Sequence, residues 1–398
     1  MNTSLPMLAR RFKRPLARLL ALGPWSSRRL GPPKRGVIDT PAHDARHGIV
    51  AVRDLEGGHV FPPPPAPERY PRIAPALLAE LHRTLCPEIK ALRVGLFTEA
   101  RYFQPTFAVI DAGDRLLHEF SQGWEDGVPG NNYAFQQVRL RTPHRVAGRA
   151  LLVDVRTHSQ NYFHWLLEAL PRIEFARAAG WPVEEFSHFL ISGATQPFHL
   201  ETLALAGVDA KRVVDATAHP HTACDELVGV SDTRMFAYDA TIVALRKIFA
   251  APIAAAATRP RLKLFISRAD ATSRLIRNED ELFARLAPLG FTRVTLSVRG
   301  VAEQAALFAQ ADVIVAAHGA ALANLVFCRA GAAVVEIHYP RYTLGLYWQI
   351  AERLGLRYGA LRGLTIEDAG GGESDPRRTD MRVEAESVAR YVAELVGG

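Results

Sequence analysis

A chain of 398 residues, with 48% apolar positions and 48 basic residues against 41 acidic ones for a formal charge of +7, is long enough for two domains with sizeable cores. It holds no run of 18 apolar residues, so no membrane-crossing helix is predicted. Its three cysteines, Cys86, Cys224 and Cys328, are far apart and lack any zinc-ligand or C-x-x-C spacing, which excludes a disulfide framework and leaves them as small buried hydrophobes.

Residues 1–65 are expected to be a weakly structured extension. Arg10, Arg11, Lys13, Arg14, Arg18, Arg28, Arg29, Lys34 and Arg35 interleave with Leu16, Leu19, Leu20 and Leu22. That apolar stretch is too short and too charged for a secretory leader, so a cytoplasmic protein is expected. The tail reads either as a solvated arm or as an amphipathic segment touching an anionic membrane face from inside. Pro62 to Pro65 with Pro67 form a stiff linker.

An α/β pattern follows, and residues 66–255 are read as a first α/β domain. Phe107 to Asp111 and Leu116 to Phe120 predict a hairpin about the Asp111-Ala-Gly-Asp114 turn. Leu151 to Val155 is a buried strand, Asn161 to Gly180 a helix, Phe186 to Ile191 a strand, and Phe198 to Ala206 a helix ended by Gly207. Ala250 to Pro260 is read as the crossing into a second domain, 256–398, because it carries Pro252 and Pro260.

Alternation is regular beyond it. Strands are predicted at Leu262 to Ser267, Phe291 to Val298, Val313 to Ala317 and Ala332 to Ile337. Helices are predicted from Asn278 to Leu286, Val301 to Ala311, Ala320 to Arg329 and Leu344 to Leu354. Strand–helix alternation implies a parallel sheet. A flexible loop is expected over Asp368 to Asp380, around Gly370, Gly371 and Gly372.

Three segments carry chemistry. At Ala317-His318-Gly319-Ala320-Ala321-Leu-Ala-Asn324 a strand gives way at once to a helix. Free N–H groups there suit a diphosphate, Gly319 allows a tight turn, and Ala320 and Ala321 leave the approach open. At Ile266-Ser267-Arg268 through Arg274, Arg277 and Glu279, arginines follow a strand's carboxyl end, where a ligand crevice forms. At Asn161-Tyr162-Phe163-His164-Trp165-Leu-Leu-Glu168-Ala-Leu-Pro171-Arg172, His164 and Glu168 are four apart and share a helix face. That pair reads either as a base with its orienter or as a packed histidine beside a Glu168–Arg172 surface ion pair.

The three segments together resemble glycosyltransferase family 61, whose members include extracellular O-GlcNAc transferases and plant xylan-decorating enzymes. The first matches an H-G-A-x-L-x-N block, the second I-S-R…R…N-E and the third N-Y-x-H-W-x-x-[DE]-x-L-P. The resemblance spans roughly 100–390. It implies a GT-B-like α/β fold of two Rossmann-like domains, a nucleotide-sugar donor, usually a UDP-sugar, a glycan or glycoconjugate acceptor, and inversion at the anomeric carbon. Within it, Arg268, Arg274, His318, Gly319, Ala320, Ala321 and Asn324 are expected around the nucleotide diphosphate, with Glu336 on the ribose hydroxyls. His164 or Glu168 is expected as the base on the acceptor side. The sequence holds no Asp-x-Asp, the usual carboxylate pair for a diphosphate-bound metal, so metal-free transfer is expected. It also lacks G-x-G-x-x-G, which argues against a dinucleotide dehydrogenase. Two rivals stay open: an inactive sugar-nucleotide-binding scaffold and a nucleotide-sugar epimerase. A nucleic-acid role is disfavoured, because the basic charge is concentrated in the tail.

Overall fold

The computed structural model describes residues 32–60, 70–84, 88–123, 132–137, 139–156, 160–231, 239–366 and 379–397. The basic residues before 32, the proline run, Cys86, Thr157 to Ser159 and most of the 368–380 loop lie outside the described residues. The described parts of Met1–Gly58 and Lys90–Ala240 make one compact unit, and those of His59–Ile89 and Thr241–Gly398 a second. Both are α/β.

The division differs from the expected one in two ways. Residues 32–58 belong to the first unit's sheet rather than to an extension. Strand Ile49–Glu56 pairs antiparallel with Leu92–Thr98, and Arg35–Val37 pairs parallel with Arg115–Leu117. The apolar residues at 49–52 are strand formers that the basic surroundings obscured. The expected crossing at 250–260 is instead helical, Ala250–Ala257. Helix propensity of the alanines outweighs Pro252, which sits in the first turn where its missing N–H costs nothing. Ala256 packs on Ala306 and Ala309, and the Phe249 ring lies 4.7 Å from that of Phe327.

The first unit is built on a ten-stranded mixed sheet. Its parallel part runs His221–Val230, His144–Leu152, His188–Ile191, Val213–Asp215. On the other side of His221–Val230 the strands Arg101–Phe103, Ala108–Ile110 and Arg115–Leu117 follow in antiparallel pairing. A purely parallel Rossmann-like sheet is therefore not what this unit has. Short two- to four-residue turns, such as Asp111 to Asp114, can join antiparallel neighbours only. The core gathers Phe97, Tyr102, Val109, Phe120, Val146, Leu152 and Leu190.

The second unit carries a five-stranded sheet in the order Phe291–Val294, Leu262–Ile266, Ala311–Ala317, Ala333–His338, Arg357–Arg362, every pair parallel. Numbered along the chain this is the doubly wound order 2-1-3-4-5. The near-continuous burial of Ala311–Ala317 and Ala333–His338 is what two covered sheet faces require. Such sheets bind ligands where the strand order reverses, at the carboxyl ends of the first and third strands. Here those ends are Ile266 and Ala317, followed by Arg268 and His318. The excursion 59–89 packs on this unit: Trp348 Nε1 donates to the Tyr70 hydroxyl at 2.8 Å, and the His82 ring meets Trp348 edge-on at 4.6 Å.

Candidate active site

The turn after Leu262–Ile266 is held by a residue whose role the sequence left unread. Glu279 accepts from the Ser267 hydroxyl through Oε1 and from the Arg268 amide, at 3.0 Å, through Oε2. Asn278, just before the helix that Glu279 opens, does not cap it with its side chain: Val383 N donates to its Oδ1 at 3.0 Å. Arg268 then folds back on its own loop, donating from Nε to Arg274 O at 2.9 Å and from Nη2 to Ser273 O at 3.1 Å. That leaves Nη1 over Gly319, where a Cβ would meet it at 2.3 Å.

Gly319 is therefore needed for a different reason from the expected turn. Its φ of 175° and ψ of 170° are extended backbone that any residue adopts; the guanidinium beside it is what excludes a side chain. Arg274 does sit in the left-handed region, φ 59°, which a non-glycine residue holds only when its surroundings fix it. The Tyr339 hydroxyl donates to Arg274 O. The Arg274 guanidinium carbon lies 6.0 Å and 5.8 Å from the ring centres of Tyr339 and Tyr342, within cation–π range. Arg277 leaves this group and pairs with Asp380 at 2.5 Å.

His318 ends the central strand, 3% exposed. Its Nδ1 is hydrogen-bonded to Glu336 Oε1 at 2.5 Å, and the Tyr358 hydroxyl donates to Glu336 Oε2 at 2.7 Å. Glu336 is wholly buried, so it orients His318 rather than reaching a ribose as expected. Burial drives the His318 imidazole down to about 3, helped by Arg274 and Arg268, and pushes the Glu336 carboxyl up against the pull of His338 and Tyr358. Burial also takes His338 down to about 4. The donor atoms of His318, Glu336 and His338 lie within 4.8 Å of one another, as a metal site would need. They are directed at one another and at Tyr358, however, so they form a hydrogen-bond network, and two arginines beside it oppose a cation.

The helix expected after His318 is of the 3-10 kind, Ala320–Phe327, so its peptide dipoles are aligned less well toward a diphosphate than those of an α-helix. Ala320 and Ala321 are partly exposed and keep the approach open. Asn324 is wholly buried, donating to Gln304 Oε1 and Ala321 O, each at 3.0 Å. It braces the turn from behind. Tyr347 donates to Gly319 O in the same turn at 2.7 Å.

In the first unit, Asn161 caps its helix by accepting from Phe163 N at 3.0 Å. The expected single helix has three parts: an α turn Tyr162–His164, a π segment Trp165–Ala169, and an α-helix Pro171–Ala178. Pro171 cannot donate, and Leu170 N reaches back to Trp165 O at 2.9 Å. Such π bulges are frequent at functional sites. His164 Nδ1 is hydrogen-bonded to Glu168 Oε2 at 3.1 Å; the His164 side chain is 25% exposed and that of Glu168 3%. Glu168 thus backs the ring, and Nε2 is the nitrogen left for a ligand.

Arg172 is not at the surface, which removes the surface-pair reading. It is 1% exposed and donates to the carbonyls of Glu168, Val230 and Ser231 at 3.2, 3.1 and 3.4 Å. Arg172→Met should leave three buried acceptors without their donor. Urea unfolding is expected to show a loss of at least about 2 kcal/mol.

The second unit is thus a doubly wound α/β unit with Arg268, Arg274, His318 and Gly319 at its switch point. Residues 162–335 match the family model Glycosyltransferase 61. It is 41% identical over 106 residues to the β-1,2-xylosyltransferase XAX1 of Oryza sativa subsp. japonica, a match covering 25% of this chain and 18% of that protein. The aligned part is thus under a fifth of the relative's length. Among solved structures, a flavo di-iron protein mutant from Thermotoga maritima aligns at 9% identity and a TM-score of 0.25, over 58% of this chain and 52% of that one; so low a score carries no argument.

Proposed function

We propose that the protein is an inverting glycosyltransferase of GT-B type that transfers a sugar from a nucleotide-sugar, a UDP-sugar, to a hydroxyl of a glycan or glycoconjugate in cell-surface polysaccharide synthesis. The observation carrying this is the placing of Arg268 Nη1 over Gly319 at the switch point, beside Arg274 and His318. A bare backbone floor under fixed cations suits a diphosphate and the charge it gains on leaving. The first unit is read as the acceptor side. His164 takes the proton of the attacking hydroxyl through Nε2, and Glu168 holds the ring. The xylosyltransferase named above makes a pentose one donor to test first.

The test is product analysis with a panel of nucleotide sugars, with and without glycan acceptors. Transfer with inverted anomeric configuration supports the reading. A sugar altered without any acceptor would mean an epimerase, and binding without turnover an inactive scaffold.

Transfer is proposed to need no divalent ion, because the chain holds no Asp-x-Asp and Arg268 and Arg274 supply positive charge in its place. Turnover should persist in excess EDTA; complete loss restored by manganese would overturn this. Location on the inner membrane face, through the basic residues before 32, belongs to the same proposal. Deleting residues 1–31 should weaken co-sedimentation with anionic vesicles at low salt and spare turnover of a soluble acceptor.

A further inference from the structure

The His318–Glu336 pair has the same form as His164–Glu168. In each, Nδ1 is committed to a carboxylate, at 2.5 Å and 3.1 Å respectively, and Nε2 is left over. The difference lies in what surrounds the ring. Glu336 has a second hydrogen bond from Tyr358, whose hydroxyl is also 3.3 Å from His338 Nε2. The His318 ring is enclosed by His338, stacked at 5.4 Å, and by Tyr342 and Tyr347, each at 5.3 Å. Arg268 and Arg274 add their positive charge to its surroundings. None of this is needed merely to bind an anion, for which the arginines and the backbone would serve. A buried carboxylate fixed at both oxygens does one further thing: it stabilises a second proton on the imidazole once something compensates the arginines.

Resting on the glycosyltransferase reading, we propose that Glu336 and Tyr358 are positioning residues that make His318 the proton donor to the departing nucleoside diphosphate. The bond from the anomeric carbon to the β-phosphate oxygen breaks, and its electron pair stays on that oxygen. The acceptor oxygen bonds to the carbon and gives its proton to the base. His318 Nε2 gives its own proton to the diphosphate, and Nδ1–H stays on Glu336. His318 is charged for this step by donor binding. In the free protein burial and the two arginines keep the ring neutral, at about 3. A bound diphosphate cancels the arginines' field, raises the ring, and draws one proton from solvent. The complex then holds more protons than the free protein, so affinity rises as pH falls, across the window between the raised value and the free one. The charged and titratable groups facing the ring are Arg268 and Arg274 from the loop, Glu336 and His338 from the next strand, Tyr358 from the last strand, and Tyr342 and Tyr347.

The test is calorimetry of UDP binding near pH 7 in two buffers of different ionisation enthalpy, on wild type, His318→Gln, Glu336→Gln and Tyr358→Phe. Free UDP has its own ionisation near about 6, which is common to all four proteins, so the differences isolate the protein's proton. Wild type should take up to one proton more than His318→Gln. Glu336→Gln should match His318→Gln, because a neutral amide does not hold a charged imidazole. Tyr358→Phe, which keeps the ring and the packing, should fall between, because Glu336 keeps its carboxylate but, without the tyrosine hydrogen bond, holds a charged imidazole less well. Equal uptake in wild type and His318→Gln would overturn the inference even though UDP binds. Absence of UDP binding to wild type would instead overturn the functional reading on which it rests.

Discussion

Glu168→Gln should lower turnover at least about a hundredfold while leaving UDP affinity within about twofold of wild type. The carboxylate is 3% exposed and hydrogen-bonded to His164 Nδ1. With an ionised partner the ring is held as the Nδ1–H tautomer, with the Nε2 lone pair presented. A glutamine can instead offer its N–H to Nδ1 and turn the tautomer over, so the ring presents N–H to a hydroxyl that needs an acceptor. Shape and packing stay the same, so the loss would be chemical rather than structural. His164→Ala removes the proton acceptor itself and should cost as much or more. The double variant should be little worse than the poorer single one, because residues acting as a unit are not additive. A well-folded Glu168→Gln protein with near-normal turnover would leave the base unassigned. UDP affinity is the internal control, because the nucleotide is assigned to the other unit.

Arg268→Ala should weaken UDP binding by about 10- to 150-fold, the range of about 1.5–3 kcal/mol for a hydrogen bond to a charged group. The guanidinium has two roles, since it also donates to the carbonyls of Ser273 and Arg274. Removing it loosens the loop that carries Arg274, so the alanine variant alone cannot separate lost contact from lost order. Gly319→Ala separates them. Its Cβ would stand 2.3 Å from Nη1, so the rigid guanidinium must tilt about the line through Nε and Nη2, which stay by their carbonyls, and carry Nη1 away from the turn. If the contact is what matters, Gly319→Ala should weaken UDP by a similar factor with melting temperature unchanged. Calorimetry on the two variants showing wild-type affinity would remove both residues from the nucleotide site. An effect confined to Arg268→Ala would assign the loss to loop order.

The sequence by itself marked four of the second unit's five parallel strands, because alternation of β-branched runs such as Val313-Ile-Val315 with helical segments is a local pattern, but it passed over Arg357–Arg362 and the helix Ala385–Gly397. It also singled out His164, Glu168, Arg268, Arg274, His318 and Gly319, since each follows or closely precedes a recognisable strand or helix end. What each residue does was a different matter. Glu336 reads as a strand-end acid free to meet a ligand, yet it is wholly buried under His318 and Tyr358. Arg172 reads as a surface ion-pair partner and is a buried donor to three carbonyls. Gly319 reads as a turn glycine and is in extended backbone beneath a guanidinium. Residues 32–58 read as a tail and supply two strands. In each case the deciding partner is distant in sequence: 18 residues separate His318 from Glu336 and 80 separate Arg35 from Arg115. Hydrophobic period and turn chemistry act within a few residues and mark where an element begins and ends. Burial and hydrogen-bond satisfaction act between whatever the fold brings together, and that is settled only once the strand order 2-1-3-4-5 has set Ile266 beside Ala316 and Ala317 beside Ile337.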